Sequence, residues 1–178
     1  MTSSISQPHQ NSAARLWTFA LAVYQCDGVA PACLALQDNC DADIPLLLAT
    51  GFAAWQAKIV DAAAITRLQQ LSAPWQHDIV KALRQIRRQL KAGPRPAPNE
   101  ASEALRQTIK NAELAAEKIQ LNMLAATIDD LGSSGKNADL AGISDALTMI
   151  ITAKTNTIAQ DQHRQISLIA AAMLAQTR

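Results

Sequence analysis

Apolar positions along this chain recur at helical spacing, and no stretch shows the alternation of a strand. Leu16, Phe19, Ala20 and Val23 form one stripe, widened by Trp17, Leu21 and Tyr24. This predicts a first helix over residues 13–25 with Ser12 as its N-cap. Asp27-Gly28 ends it, because glycine takes the left-handed C-terminal conformation without steric cost. Pro31 suits the first turn of a second helix, where a missing N–H is no loss. Cys33, Leu34 and Leu36 are its expected buried face, and it should end near Asn39. Asp43 then caps a third helix, with Ile44 and Pro45 in its first turn. Residues 46–55 are apolar almost all round, which marks a helix enclosed by others and places it at the centre.

Further on, Asp61 caps a short helix over 62–71, and Ser72 caps another with Pro74 in its first turn. That fifth helix has Trp75, Ile79, Leu83, Ile86 and Leu90 at spacings of four, four, three and four as its apolar face. Residues 92–98, AGPRPAP, read as a proline-stiffened linker. Asn99 caps the longest helix, expected over about 100–131. One stripe on it runs Leu105, Ile109, Ala112, Ala116, Ile119, Met123, and a second runs Leu114, Leu121, Ile128, so it should touch neighbours on two sides. Residues 132–136 form a loop, Ile143 to Ile151 mark one more helix, and Ile166 to Leu174 mark the last. Whether the helix breaks within the polar stretch 152–165 is left open by the pattern. The expectation is an all-α, single-domain bundle of about six to eight helices over 12–178, behind a disordered tail at 1–11.

Composition agrees with this reading. Of 178 residues, 49% are apolar but only 3% aromatic, a mix that favours close helix–helix packing over sheets. The net charge of +1 supplies no global field toward nucleic acid or membrane. The charge is unevenly placed, however: residues 81–95 carry six basic side chains and no acidic one. The three cysteines, Cys26, Cys33 and Cys40, are spaced by seven, which matches no zinc pattern and reads as buried thiols in a reducing cytoplasm. The N-terminal stretch lacks the features of a signal peptide, and no apolar run approaches the roughly 20 residues a membrane span requires.

Four features of the chain bear on chemistry. Gly135-Lys136 lacks the earlier glycine, the following Ser/Thr and the leading strand of a phosphate loop. Asp38, Asp41 and Asp43 form an acidic elbow between two helices; carboxylates there could hold a divalent ion or a polar substrate group, or simply lie at helix ends. Glu113 and Glu117 stand one turn apart, but His9, His77 and His163 supply no Glu-x-x-His partner for a di-iron site, so they read as solvated ion-pair partners. Lys81, Arg84, Arg87, Arg88 and Lys91 form a basic stripe opposite the apolar one. With no aromatic interleaved for stacking, a solvated face or a protein-docking face is favoured over nucleic-acid binding. The residues assign no catalytic group, metal ligand or cofactor.

Leu16-Trp17-x-Phe19-Ala20-Leu21-x-x-Tyr24 resembles the opening of a bacterial family known as domain of unknown function 2390. So do Gly28-Val29-x-x-Ala32-Cys33-Leu34-x-Leu36-Gln37-Asp38 and Asp43-Ile44-x-Leu46-Leu47-Leu48. Leu83-Arg84-x-x-Arg87-Arg88-x-Leu90-Lys91 and Ala112-Glu113-Leu114-x-Ala116-Glu117 extend the similarity over about two-thirds of the chain. The resemblance implies a short, helical, presumed cytosolic bacterial protein with no assigned activity. The family usually has glycine near Asp41 and asparagine where Pro45 stands here. The expected function is a non-enzymatic protein-interaction module using Lys81, Arg84, Arg87, Arg88, Lys91, Glu113 and Glu117, with an unidentified protein partner and room for self-association. The alternative is a ligand-binding or enzymatic bundle built on Asp38, Asp41 and Asp43, with weak nucleic-acid binding through residues 81–91 as a third reading.

Overall fold

The computed structural model describes residues 7–155 and 157–177. Its elements are α1 (Gln7–Tyr24), α2 (Val29–Cys40), α3 (Ile44–Trp55), α4 (Ala62–Trp75), a π turn (Gln76–Val80), α5 (Lys81–Ala92), α6 (Glu100–Asp129), α7 (Leu140–Thr155) and α8 (Gln160–Leu174). Among the described residues no strand occurs beyond one isolated bridge, Lys58 to Ser133. The all-α bundle expected from the pattern is what forms.

The centre is α3, as its unbroken apolar surface requires. It packs against α1, α4, α6, α7 and α8. Asp43 caps it, accepting the Leu46 N–H at 3.0 Å, so the sequence signal for this helix start was correct. Phe19 of α1 meets Phe52 and Trp55 of α3 with ring centroids 5.1 and 4.9 Å apart, uniting three of the chain's six aromatic residues. Gly51 lets α8 approach, since a Cβ there would lie 2.3 Å from Met173 Sδ. Lys58 closes the far end of the long helix by donating to the carbonyls of Asp129 and Leu131.

Gly28 (φ 78°) and Asp41 (φ 52°) flank α2, both in the left-handed region. Asp41 therefore occupies a position that favours glycine, which a short polar side chain also tolerates.

Several expectations are corrected. The first helix begins at Gln7 rather than 13, so Ser12 lies inside it and caps nothing. The tail expected at 1–11 falls partly outside the described residues. Ser72 is not a cap either. The chain stays helical through Pro74, and the turn that follows widens to π geometry, a common accommodation where a helical hydrogen bond is missing. The hydroxyl of Ser72 turns inward to Asp43 instead. The break left open after residue 152 falls between Thr155 and Gln160.

The largest correction concerns α5. Of the apolar stripe expected there, Ile79 in the π turn and Ile86 on α5 are exposed, whereas Arg84 of the basic stripe is buried. Leu34 on α2 and Leu105, Leu114 and Ile119 on α6 are exposed too. The first turns of α6 bury only Ser102 before Glu113, with α5 packed beside the helix, so these helices bury less than their periodicity promised. The side that α6 offers α5 carries carboxylates, and long arginine side chains reach them.

Candidate functional site

An ion-paired network lies between α5 and α6. Arg84 Nε donates to Glu113 Oε1 and its Nη2 donates to Glu117 Oε1, both at 2.8 Å. Arg87 reaches the same Glu113 carboxylate through Nε and Nη2. Arg84 and Glu113 are each 8% exposed, so this is a buried pair and not the wet helix face that the sequence pattern suggested. Helical spacing explains the match: residues three apart on α5 meet residues four apart on α6.

The acidic elbow completes a second row of pairs across α5. Lys81 bonds Asp41, and Arg88 Nη2 lies 2.5 Å from Asp38 Oδ1. Asp43 faces the other way, into the core. There it accepts Ser72 Oγ at 2.6 Å and Gln120 Nε2 at 2.9 and 3.0 Å, besides capping α3. The three elbow carboxylates are thus directed to different partners. No group of three or more His, Cys, Asp or Glu able to hold a metal ion is gathered among the described residues. Lys91 is exposed on α5.

Two hollows flank the network. The larger, about 590 Å³, lies between α2 and α5 and is lined by Asp38, Asp41, Lys81 and Arg88, whose charges are already matched. The second, about 460 Å³, is bounded by α1, α2, α3, α5 and α6. Its charged part is Arg84, Arg87, Glu113, Glu117 and Lys110, and its apolar part includes Trp17, Leu21, Leu34 and Leu114, with Tyr24 between them. Leu34 and Leu114 are each 50% exposed. The ammonium of Lys118 sits 5.1 Å from the Trp17 ring centroid, joining α6 to α1 beside this cleft. A space of this size with mixed lining is within the range of ligand and side-chain binding sites.

The two carboxylates differ electrostatically. Burial pushes Glu113 upward, but hydrogen bonds from Arg87 and Arg84, together with their charges, outweigh it and hold it below the ordinary 4.5. Burial dominates at Glu117 and raises it, with the neighbouring Glu113 charge adding to the shift and Arg84 opposing it. Tyr24, across the cleft, is raised by burial, by Cys33 and by Glu117. Burial also pushes the Cys33 thiol up to about 12, which leaves it inert.

These opposite shifts define a pH test. The depressed Glu113 stabilises the fold above 4.5, and that contribution is lost as pH falls through its folded-state value. The raised Glu117 acts inversely: its contribution is present below 4.5 and is lost as pH rises through its folded-state value. In thermal unfolding from about pH 3 to about pH 7, Glu113→Gln should flatten the acid limb. Glu117→Gln should leave that limb and remove the opposing slope just above it. Identical profiles for the two variants would contradict the assignment.

Sequence reasoning singled out both halves of the network and joined them in one contact surface, but as outward-facing charges and not as buried partners of one another. It missed Ser72 as a core hydroxyl, and it missed Gln120, Lys110 and the leucine rim. Gln120 carried one signal, a polar residue between Ile119 and Leu121 on a helix expected to be covered on two sides.

Taken together, these observations define an all-α helical bundle whose α5–α6 hairpin is held by internal ion pairs beside an amphipathic cleft. Residues 15–124 match the family model described as "Protein of unknown function (DUF2390)", and the chain belongs to that family. The matched region spans α2 to α5 whole and contains every residue of the network. No curated protein and no solved structure matches the chain. Among the described residues no single helix is long and apolar enough to cross a membrane.

Proposed function

We propose that the protein is a non-enzymatic interaction module whose cleft between α1, α2, α5 and α6 receives an apolar segment of a partner protein bearing a carboxylate. The observation that carries this reading is the half-exposed pair Leu34 and Leu114 set over a buried charged floor. Exposed leucines around a concave site are a feature of helix-in-groove recognition. The floor favours an acidic visitor: the lining holds the cations Arg84, Arg87 and Lys110 against the carboxylates Glu113 and Glu117. Arg84 and Arg87 are engaged by the two glutamates, which leaves the Lys110 ammonium to meet an incoming anion. This narrows the docking surface expected from the sequence to Arg84, Arg87, Glu113 and Glu117, and adds the leucine rim.

Reversing the charge of Arg84 is the wrong test, since a third carboxylate beside Glu113 and Glu117 would damage the fold. The rim is the right place. Leu34→Gln combined with Leu114→Gln alters two half-exposed positions without adding a carboxylate and should change stability by no more than about 0.5 kcal/mol per site. The tagged protein purified from its own host at low salt should retain a stoichiometric protein partner that this double variant loses. A photo-crosslinking residue at Leu114 should mark the same partner. If the partner stays bound to the folded double variant, the cleft is not the docking surface.

A further inference from the structure

A third hollow lies away from the docking cleft, where the start of α3, the α4–π junction and α7 meet. It measures about 350 Å³, and its lining includes Asp43, Gln69 and Gln76 on the polar side and Leu46, Ala73 and Ile150 on the apolar side. Gln76 opens the π turn and is 4% exposed, yet neither Nε2 nor Oε1 of its amide has a hydrogen-bond partner. Folded proteins rarely leave a buried amide so, and an unmatched one beside a cavity marks a place where something else completes the bonding. A π turn interrupting a helix is itself a frequent companion of binding sites.

The lining also restricts what can complete it. The Asp43 carboxylate already accepts from Leu46, Ser72 and Gln120, and the Lys81 ammonium is directed to Asp41. The unmet bonding therefore belongs to neutral amides: Gln76 needs both a donor and an acceptor, and Gln69 adds a second amide at the wall. An anionic ligand would face Asp43, and a cationic one would face Lys81. A carboxamide or ureide offers a donor and an acceptor side by side without charge. We propose that this pocket binds a small neutral carboxamide- or ureide-bearing molecule, with Gln76 pairing with its amide and Leu46, Ala73 and Ile150 covering its apolar body.

The test uses nicotinamide and isobutyramide as neutral probes and nicotinate as the charged counterpart. Each is titrated into the protein by calorimetry and by thermal shift. The expected result is saturable binding and a raised Tm with at least one amide, and no response to nicotinate. Affinity should fall at least ten-fold in Gln76→Leu, which should fold well because it removes two unmatched buried atoms. Ala153→Phe, at an exposed position of α7 in the lining, should block the pocket and give the same loss. Silence with both amides would mean that water completes Gln76, and would overturn the proposal. So would an equal response to nicotinate, or binding unchanged in both variants. The rim variants Leu34→Gln and Leu114→Gln should leave the amide response intact, so this pocket and the docking cleft stand or fall separately.

Discussion

Arg84→Ala should lower the unfolding free energy by about 3–5 kcal/mol, the usual cost of removing one partner of a buried ion pair. For a chain of this length, that is a fall in Tm of about 6–20 °C. The loss arises from what the substitution leaves behind more than from the bonds it removes. Glu113 is buried and Glu117 three-quarters buried, and without Arg84 the first keeps only Arg87 while the second, one turn away, loses its ion pair. Arg84→Lys should recover only part, because one ammonium cannot present the planar fork that serves both carboxylates. The triple variant Arg84→Met, Glu113→Leu, Glu117→Leu should recover most of the stability, since no buried charge is then left unmatched. Arg87 would lose its partner in that variant, but it is 26% exposed and can turn to water. Thermal and urea unfolding of the series decide the matter. A single Arg84→Ala variant that melts with wild type would show that the network contributes nothing.

Asp43→Ala comes second, with an expected cost of about 3 kcal/mol. About 1 kcal/mol comes from the lost α3 cap, and the remainder from leaving Ser72 Oγ and one bond of Gln120 without an acceptor in the core. The Gln120–Ser72 contact at 2.6 Å survives and limits the damage. Asp43→Asn should fall between the two, since its oxygen can still cap Leu46 while its amide opposes the amide of Gln120 donor to donor. Because Asp43 joins α3, α4 and α6 at one point, amide exchange should also quicken at the start of α3 and near Ser72. Exchange that changes only around Leu46 would reduce Asp43 to a local cap.

Asp43 also shows how much of the site could be read without coordinates. Its capping role was legible, because an aspartate before Ile44-Pro45 and an apolar run is a local signal. Its two remote partners were not, since nothing near Ser72 or Gln120 in sequence points to residue 43. Ser72 was read as a cap for the same local reasons, and the reading failed because its hydroxyl had a stronger use elsewhere. The acidic elbow and the basic stripe were both visible as charge runs. That they cancel one another, Asp38 with Arg88 and Asp41 with Lys81, depends on α5 folding back beside the end of α2.

The amino-acid order alone determined the all-α class, the central position of α3, the caps at Asp43, Asp61 and Asn99, and the family. Each rests on short-range chemistry: the apolar period, the side-chain oxygen three residues before a free N–H, the fixed backbone angle of proline. Only the tertiary structure decided which face of α5 is buried. Periodicity says that a helix has two faces, and it assigns the apolar one inward only if the neighbour is apolar. Here the neighbour offers Glu113 and Glu117, so two arginines turn in and Ile79 and Ile86 stay out. The same rule accounts for the cleft. Leu34 and Leu114 belong to helical stripes that local pattern would bury, and they remain half exposed because they border an open cleft between helices.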